Sequence, residues 1–179
     1  MIHIVQNIVL LGVLLQCPFQ NAQICHSGTG VAVWESSCID ANDCQCTLYS
    51  NAQLKIIKLT SNPFQAENIR DRCQPYFYKP DYYIFHFIAL ENTVDYIKIL
   101  YNDCDSAYLS VNDGFKYCSW PDFLMKYATG IRPYGESEFL SVVMVVGDWL
   151  IATNEEKTIY RYIRWRMNDK IIVECALLY

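Results

Sequence analysis

Residues 81–101 read DYYIFHFIALENTVDYIKILY. From Tyr82 to Ala89 the side chains are aromatic, β-branched or otherwise apolar, apart from His86. That composition suits a pleated, packed surface. Glu91-Asn92 reads as a turn, Thr93 to Tyr101 as the next strand, and Asn102-Asp103 as its end. The same rhythm continues downstream. Ala107 to Val111 is followed by Asn112-Asp113-Gly114, a hairpin signal that Phe115 to Cys118 completes. Pro121 to Arg132 is irregular, with a short helix at Asp122 to Tyr127. Phe139 to Val146 reads as an apolar strand buried on both faces, turning at Gly147-Asp148 into Trp149 to Thr153. Asn154 to Lys157 turns into Thr158 to Trp165, which with Asn168-Asp169 and Lys170 to Leu178 reads as a final hairpin.

Short strands with turn signals between them indicate a sandwich or barrel. No βαβ alternation appears, which argues against a doubly wound nucleotide-binding fold. The expected class is all-β: a disulfide-stabilised antiparallel β-sandwich, jelly-roll-like, with little helix and with its core in residues 81–179. Upstream the pattern is weaker. Gly30 to Trp34 and Gln53 to Leu59 are strand candidates. Residues 60–81 hold Pro63, Pro75 and Pro80 and read as a long connection, with a helical turn at Gln65 to Arg70. Residues 23–80 are therefore expected to form a cysteine-rich segment packed on the same domain.

The first residues point to a compartment. Ile8 to Leu15 is an unbroken apolar run, shorter than the roughly 20 residues that span a bilayer. It is followed by Phe19-Gln-Asn-Ala22, so residues 1–22 are expected to be a cleavable signal peptide. The chain has 9 cysteines. Removing Cys17 with the signal leaves an even set: Cys25, Cys38, Cys44, Cys46, Cys73, Cys104, Cys118 and Cys175. An even set in a secreted chain implies a disulfide framework whose pairing stays open at this level. The protein is expected outside the cell, without a membrane anchor.

The net charge of −5 argues against a nucleic-acid partner. Arg161, Arg164 and Arg166 alternate with Tyr160, Tyr162 and Trp165, as on a solvated sheet face. Catalytic groups are sparse. Gly28-Thr-Gly30 has no preceding strand and is not a cofactor loop. His86 lies between Phe85 and Phe87, in a core setting, and His26 neighbours Cys25 and Ser27 without an elbow motif. Asp103, Asp105, Asn112 and Asp113 lack the ligand spacing of a calcium loop. Only His26 and His86 follow the signal and no Cys-x-x-Cys pair occurs, so no metal and no cofactor are expected.

Val94 to Tyr101, Asp105-Ser-Ala-Tyr-Leu-Ser110, Glu138-Phe139, Gly147 to Ala152 and Tyr162-Ile-Arg-Trp165 carry a resemblance across Tyr82 to Tyr179. This half resembles the farnesoic acid O-methyltransferase-like domain of secreted invertebrate proteins. The resemblance implies a β-sandwich recognition module. The chain departs from it at Ser106, which is inserted in the Asp-Ala step, and it has no glycine-rich nucleotide loop that would carry methyl transfer. Length, cysteines and strand count are also similar to secreted lipocalin-type barrels, although Val33-Trp34 follows Ala32 rather than a glycine. The leading expectation is a secreted, non-enzymatic module that binds an extracellular glycan or protein. The alternative is a lipocalin-like carrier of a small hydrophobic ligand. Abundant aromatic residues, 14 Tyr, 8 Phe and 4 Trp, suit an interface.

Overall fold

The computed structural model describes residues 26–35, 44–62, 73–82, 84–102 and 104–177. The expected signal peptide, Cys25, Cys38 and the helical turn at 65–70 fall outside these residues. Among the described residues the chain is all-β, with antiparallel sheets and one short α-helix.

The main sheet is built from β1 (Gly30–Trp34), β2 (Cys46–Tyr49), β3 (Ile57–Ser61), β4 (Phe77–Lys79), β5 (Ile84–Asn92), β6 (Tyr96–Tyr101), β7 (Asp105–Ser110) and β8 (Phe115–Ser119). Its order is β3-β2-β7-β6-β5-β1-β8, with β4 also paired to β5. The N-terminal segment thus supplies an interior strand, β1, next to the edge strand β8 and held between Ile88 of β5 and Cys118 of β8 at Val31. Both faces of the middle strands are buried. On β1, Val31 and Val33 enter one core while Ala32 and Trp34 enter a second. On β5, Ile84 and Ile88 join the first core, and Phe85, Phe87 and Ala89 join the second. Period-2 alternation sends neighbouring side chains to opposite faces, so a continuous apolar run demands cover on both.

The first core is closed by helix α1 (Trp120–Lys126) and three smaller sheets. Ser119 caps the helix by accepting from the Asp122 N–H, and Pro121 sits in the first turn, where its missing donor costs nothing. Trp120, Phe123 and Leu124 are buried, and Trp120 Nε1 donates to the Ser27 carbonyl at 2.6 Å. Next come β9 (Ala128–Pro133), β10 (Ser141–Val146), β11 (Trp149–Thr153), β12 (Tyr160–Arg164), β13 (Arg166–Met167), β14 (Lys170–Ile171) and β15 (Val173–Leu177). They pair as β10-β11-β12, β13-β14 and β15-β9, so the final hairpin expected over 158–178 shrinks to β13-β14 around Asn168-Asp169, while β12 lies on β11 and β15 on β9.

Several expectations change. The Asn112-Asp113-Gly114 turn does not close a hairpin: β7 pairs with β6 and β2, while β8 pairs with β1. The turn reverses the chain, but β7 is already flanked on both edges. Residues 51–54 form a turn in which the Asn51 side chain accepts from the Lys55 and Ile56 N–H groups. The strand expected at 53–59 therefore begins only at Ile57, and β2, β4 and β9 are additional. Gly28 and Gly30 serve packing. A Cβ on Gly28, whose φ is +61°, would lie 2.1 Å from the Ala89 carbonyl oxygen, and one on Gly30 would lie 2.3 Å from that of Cys118.

The cysteine expectation is corrected in part. Cys44 and Cys104 are disulfide-bonded, but Cys46, Cys73, Cys118 and Cys175 are thiols. Cys46 and Cys73 fill the second core. Cys118 on β8 and Cys175 on β15 belong to different sheets. Each packs as a small apolar side chain, as a free cysteine does readily. Burial pushes Cys73 and Cys175 up to about 12, Cys118 to about 11, and Cys46 well above the usual thiol range. The reactive thiolate is then scarce near neutral pH. The native protein is expected to resist iodoacetamide at mildly alkaline pH, with half-buried Cys118 reacting first. After unfolding without reductant, mass spectrometry should find all four labelled and Cys44 unlabelled. Four unlabelled residues would mean that these cysteines are bridged instead.

Candidate binding face

The three-stranded sheet β10-β11-β12 has an inner and an outer side. Leu150, Ala152 and Ile163 point into the first core, and Val142 and Val145 pack against it. Alternation then sends Val146, Trp149 and Arg164 outward as one cross-strand row. Met144, Ile151 and Tyr162 form the next row, and Tyr160 stands beside Thr153 in the third. A bulge between Val142 and Met144 shifts the register and also leaves Val143 exposed. This corrects the expectation that the strand at 139–146 is buried on both faces: one face is core and the other meets solvent.

The outer face is unusually apolar for a solvated sheet. Tyr162 is 77% exposed, Val146 63%, Tyr160 58%, and Met144 and Trp149 49% each. Contiguous exposed apolar side chains on a folded protein mark an interaction surface more often than single ones do. Arg164 lies over the Trp149 ring at 5.9 Å from its centroid, and its Nε donates to the Arg166 carbonyl. Among the described residues its guanidinium has no carboxylate partner. The other two arginines are engaged: Arg161 forks onto Glu136 at 2.5 and 2.7 Å, and Arg166 Nε donates to Asp148 at 2.7 Å. The three basic residues therefore do not converge on a shared anion site.

A second polar group surrounds Glu35, just past β1. Its carboxylate takes hydrogen bonds from Lys116 and from the Tyr127 hydroxyl, both at 2.5 Å, and Lys126 Nζ donates to that hydroxyl at 2.9 Å. Chiefly the Lys116 hydrogen bond, then that of Tyr127, lowers Glu35 to about 2. His86 lies beneath this group, fully buried, and its Nδ1 accepts from the Trp34 N–H at 3.1 Å. Desolvation lowers His86 to about 4, so it is a neutral core residue inaccessible to a substrate. His26 Nδ1 accepts from the Gly28 N–H at 2.7 Å. Among the described residues no cluster of His, Cys, Asp and Glu is placed to hold a metal. Asp113 keeps a buried carboxylate oxygen without a partner, and Asp105 is exposed at the start of β7. Asp103 lies outside the described residues.

Sequence reading missed the outer face, because its side chains and the core side chains are equally apolar along β10. It also missed the Glu35–Tyr127 contact, which joins residues 92 positions apart and leaves no local pattern. No described helix is long and apolar enough to cross a membrane. No protein-family model, no curated protein and no solved structure matches the chain.

The two shifted groups set separate pH windows. His86 is depressed from 6.5 to about 4, so the unfolded chain takes up its proton first as pH falls. Its contribution is complete above pH 6.5 and is lost down to pH 4, roughly 3 kcal/mol in all. Glu35 stabilises above its ordinary value of 4.5, and that contribution is lost as pH falls toward 2. Denaturant titrations of wild type and His86→Gln should show the loss between pH 6.5 and 4 in wild type and a flatter profile in the variant. Parallel profiles would exclude His86 as the titrating group.

Proposed function

We propose that the protein is a secreted, non-enzymatic recognition module that binds an extracellular glycan or protein surface through the outer face of β10, β11 and β12. The observation that carries this reading is the exposed row Val146–Trp149–Arg164 beside Tyr162 and Tyr160. Trp, Tyr and Arg are the side chains most enriched among residues that dominate binding energy. An aromatic ring stacks on the apolar face of a sugar as readily as on a protein side chain. Its rigidity keeps the entropic cost of binding low. The sheet behind it is anchored in the first core by Leu150, Ala152 and Ile163, which supports a preorganised surface.

The same reading places the main sheet and the smaller sheets as two layers of a β-sandwich around the first core. It matches what the resemblance of the second half implies. The lipocalin-like alternative needs an apolar hollow. The second core holds Trp34, Phe85, Phe87 and Phe115 packed ring against ring, with Trp34 and Phe115 centroids 4.8 Å apart. That packing speaks for a filled interior.

Glycan and extracellular-protein arrays probed with wild type, Trp149→Ala and Tyr162→Ala test the reading. Each variant is expected to lose about 2 kcal/mol of affinity, roughly 30-fold, with an unchanged fold. Binding that both variants retain in full would move the site elsewhere. For secretion, N-terminal sequencing of material exported by expressing cells should begin at Gln23. Retention inside the cell with Met1 intact would refute it.

A further inference from the structure

We propose that β12 pairs with β12 of a second copy of this chain, joining two three-stranded sheets into one. The inference starts from the hydrogen-bond phase of the β11–β12 ladder. The Trp165 N–H donates to the Asp148 carbonyl at 3.0 Å, and the Asn154 N–H to the Ile159 carbonyl at 3.3 Å. Antiparallel pairs alternate between hydrogen-bonded and non-hydrogen-bonded. Arg161 and Ile163 therefore spend their backbone groups on β11. Tyr160, Tyr162 and Arg164 turn their N–H and C=O groups the other way. That side is open, because β12 ends the order β10-β11-β12 among the described residues. All three residues are exposed.

Two of the usual protections of an edge strand are missing. The segment Tyr160-Arg-Tyr-Ile-Arg164 has no proline and no lysine. Its one charge on the inner side, Arg161, is neutralised by the fork onto Glu136. An antiparallel copy centred on Tyr162 puts Tyr160 opposite Arg164, Tyr162 opposite Tyr162, and Arg164 opposite Tyr160. Every outward N–H and C=O then finds a partner. The guanidinium of each Arg164 meets a tyrosine ring on the same face, a favourable cation–π arrangement, and no arginine faces an arginine. Centring on Arg164 would oppose two guanidiniums. Centring on Tyr160 would run the pairing into the Asn154–Lys157 turn. Centring on Arg161 or on Ile163 would leave Arg164 or Tyr160 facing a residue outside β12, so only the register centred on Tyr162 pairs all three outward residues with one another across a two-fold axis. Pairing uses the backbone edge, so it sets two outer faces side by side on one continuous sheet.

Light scattering on the full secreted chain across micromolar concentrations tests this. Wild type is expected at twice the monomer mass. Tyr162→Pro removes an N–H that faces away from β11, so it should give a folded monomer with an unchanged far-ultraviolet circular dichroism spectrum. Tyr160→Arg places like charges together and should weaken association by about tenfold or more. The double swap Tyr160→Arg with Arg164→Tyr should restore it, and this arm decides the matter if the proline variant does not fold. A wild type that stays monomeric, a dimer that Tyr160→Arg leaves intact, or a swap that fails to restore association would overturn the proposal.

Discussion

A sheet whose central strands are apolar on both faces must be covered twice. β1 and β5 impose this constraint. Val31, Val33, Ile84 and Ile88 face one way, and Ala32, Trp34, Phe85 and Phe87 face the other. The two strands are joined by the ladder from Gly30–Ala89 to Ala32–Phe87, and Gly28 lies against the Ala89 carbonyl where no side chain fits. Helix α1 and the smaller sheets exist in their observed places because the first of these faces needs a lid. Trp120 ties that lid back to Ser27, just ahead of β1. Losing any fully buried Phe from this arrangement would cost several kcal/mol, on the order of 3–5.

The candidate face follows from the same constraint. A sheet recruited as a lid has one side committed to the core and one side free. In β10–β12 the committed side is Leu150, Ala152 and Ile163, and the free side carries Val146, Trp149, Tyr160 and Tyr162. Apolar residues there add nothing to the core. Their presence is economical only if something else covers them at times. The polar group at Glu35 plays the opposite part. Its ion pair and hydrogen bonds lie over buried His86, whose titratable side chain is spent on structure, where its Nδ1 accepts from the Trp34 N–H.

Much of this was legible in the residues. The run Gly30–Trp34 coincides with β1 end to end and Trp149–Thr153 with β11, and the runs at 82–89, 93–101 and 107–111 match β5, β6 and β7 to within a few residues, because β-branched and aromatic runs bounded by Asn, Asp and Gly are local signals. Pairing was less legible. Asn112-Asp113-Gly114 announces a reversal but cannot say that β8 will lie against β1, since that choice depends on strands 80 residues away. β10 shows the limit of periodicity: Val142, Val143, Met144, Val145 and Val146 carry no polar marker to tell core from surface. Cysteine parity does not extend to Cys46, Cys73, Cys118 and Cys175, which are thiols; the first two and Cys175 are buried among apolar side chains, and Cys118 is half-buried against the first core. The candidate face was visible only as an abundance of aromatic residues without an address.

Hydroxyl-radical footprinting addresses the central claim, that the free side of the lid sheet is the working surface. It compares the purified protein alone with the same protein in extracellular fluid, where the proposed partners would be found. Trp149, Tyr160 and Tyr162 should oxidise readily in isolation and be shielded in the fluid. Trp120 and Trp165, each 1% exposed, should stay unmodified in both. Equal oxidation of Trp149 and Tyr162 in the two samples, with shielding on another surface, would contradict the account.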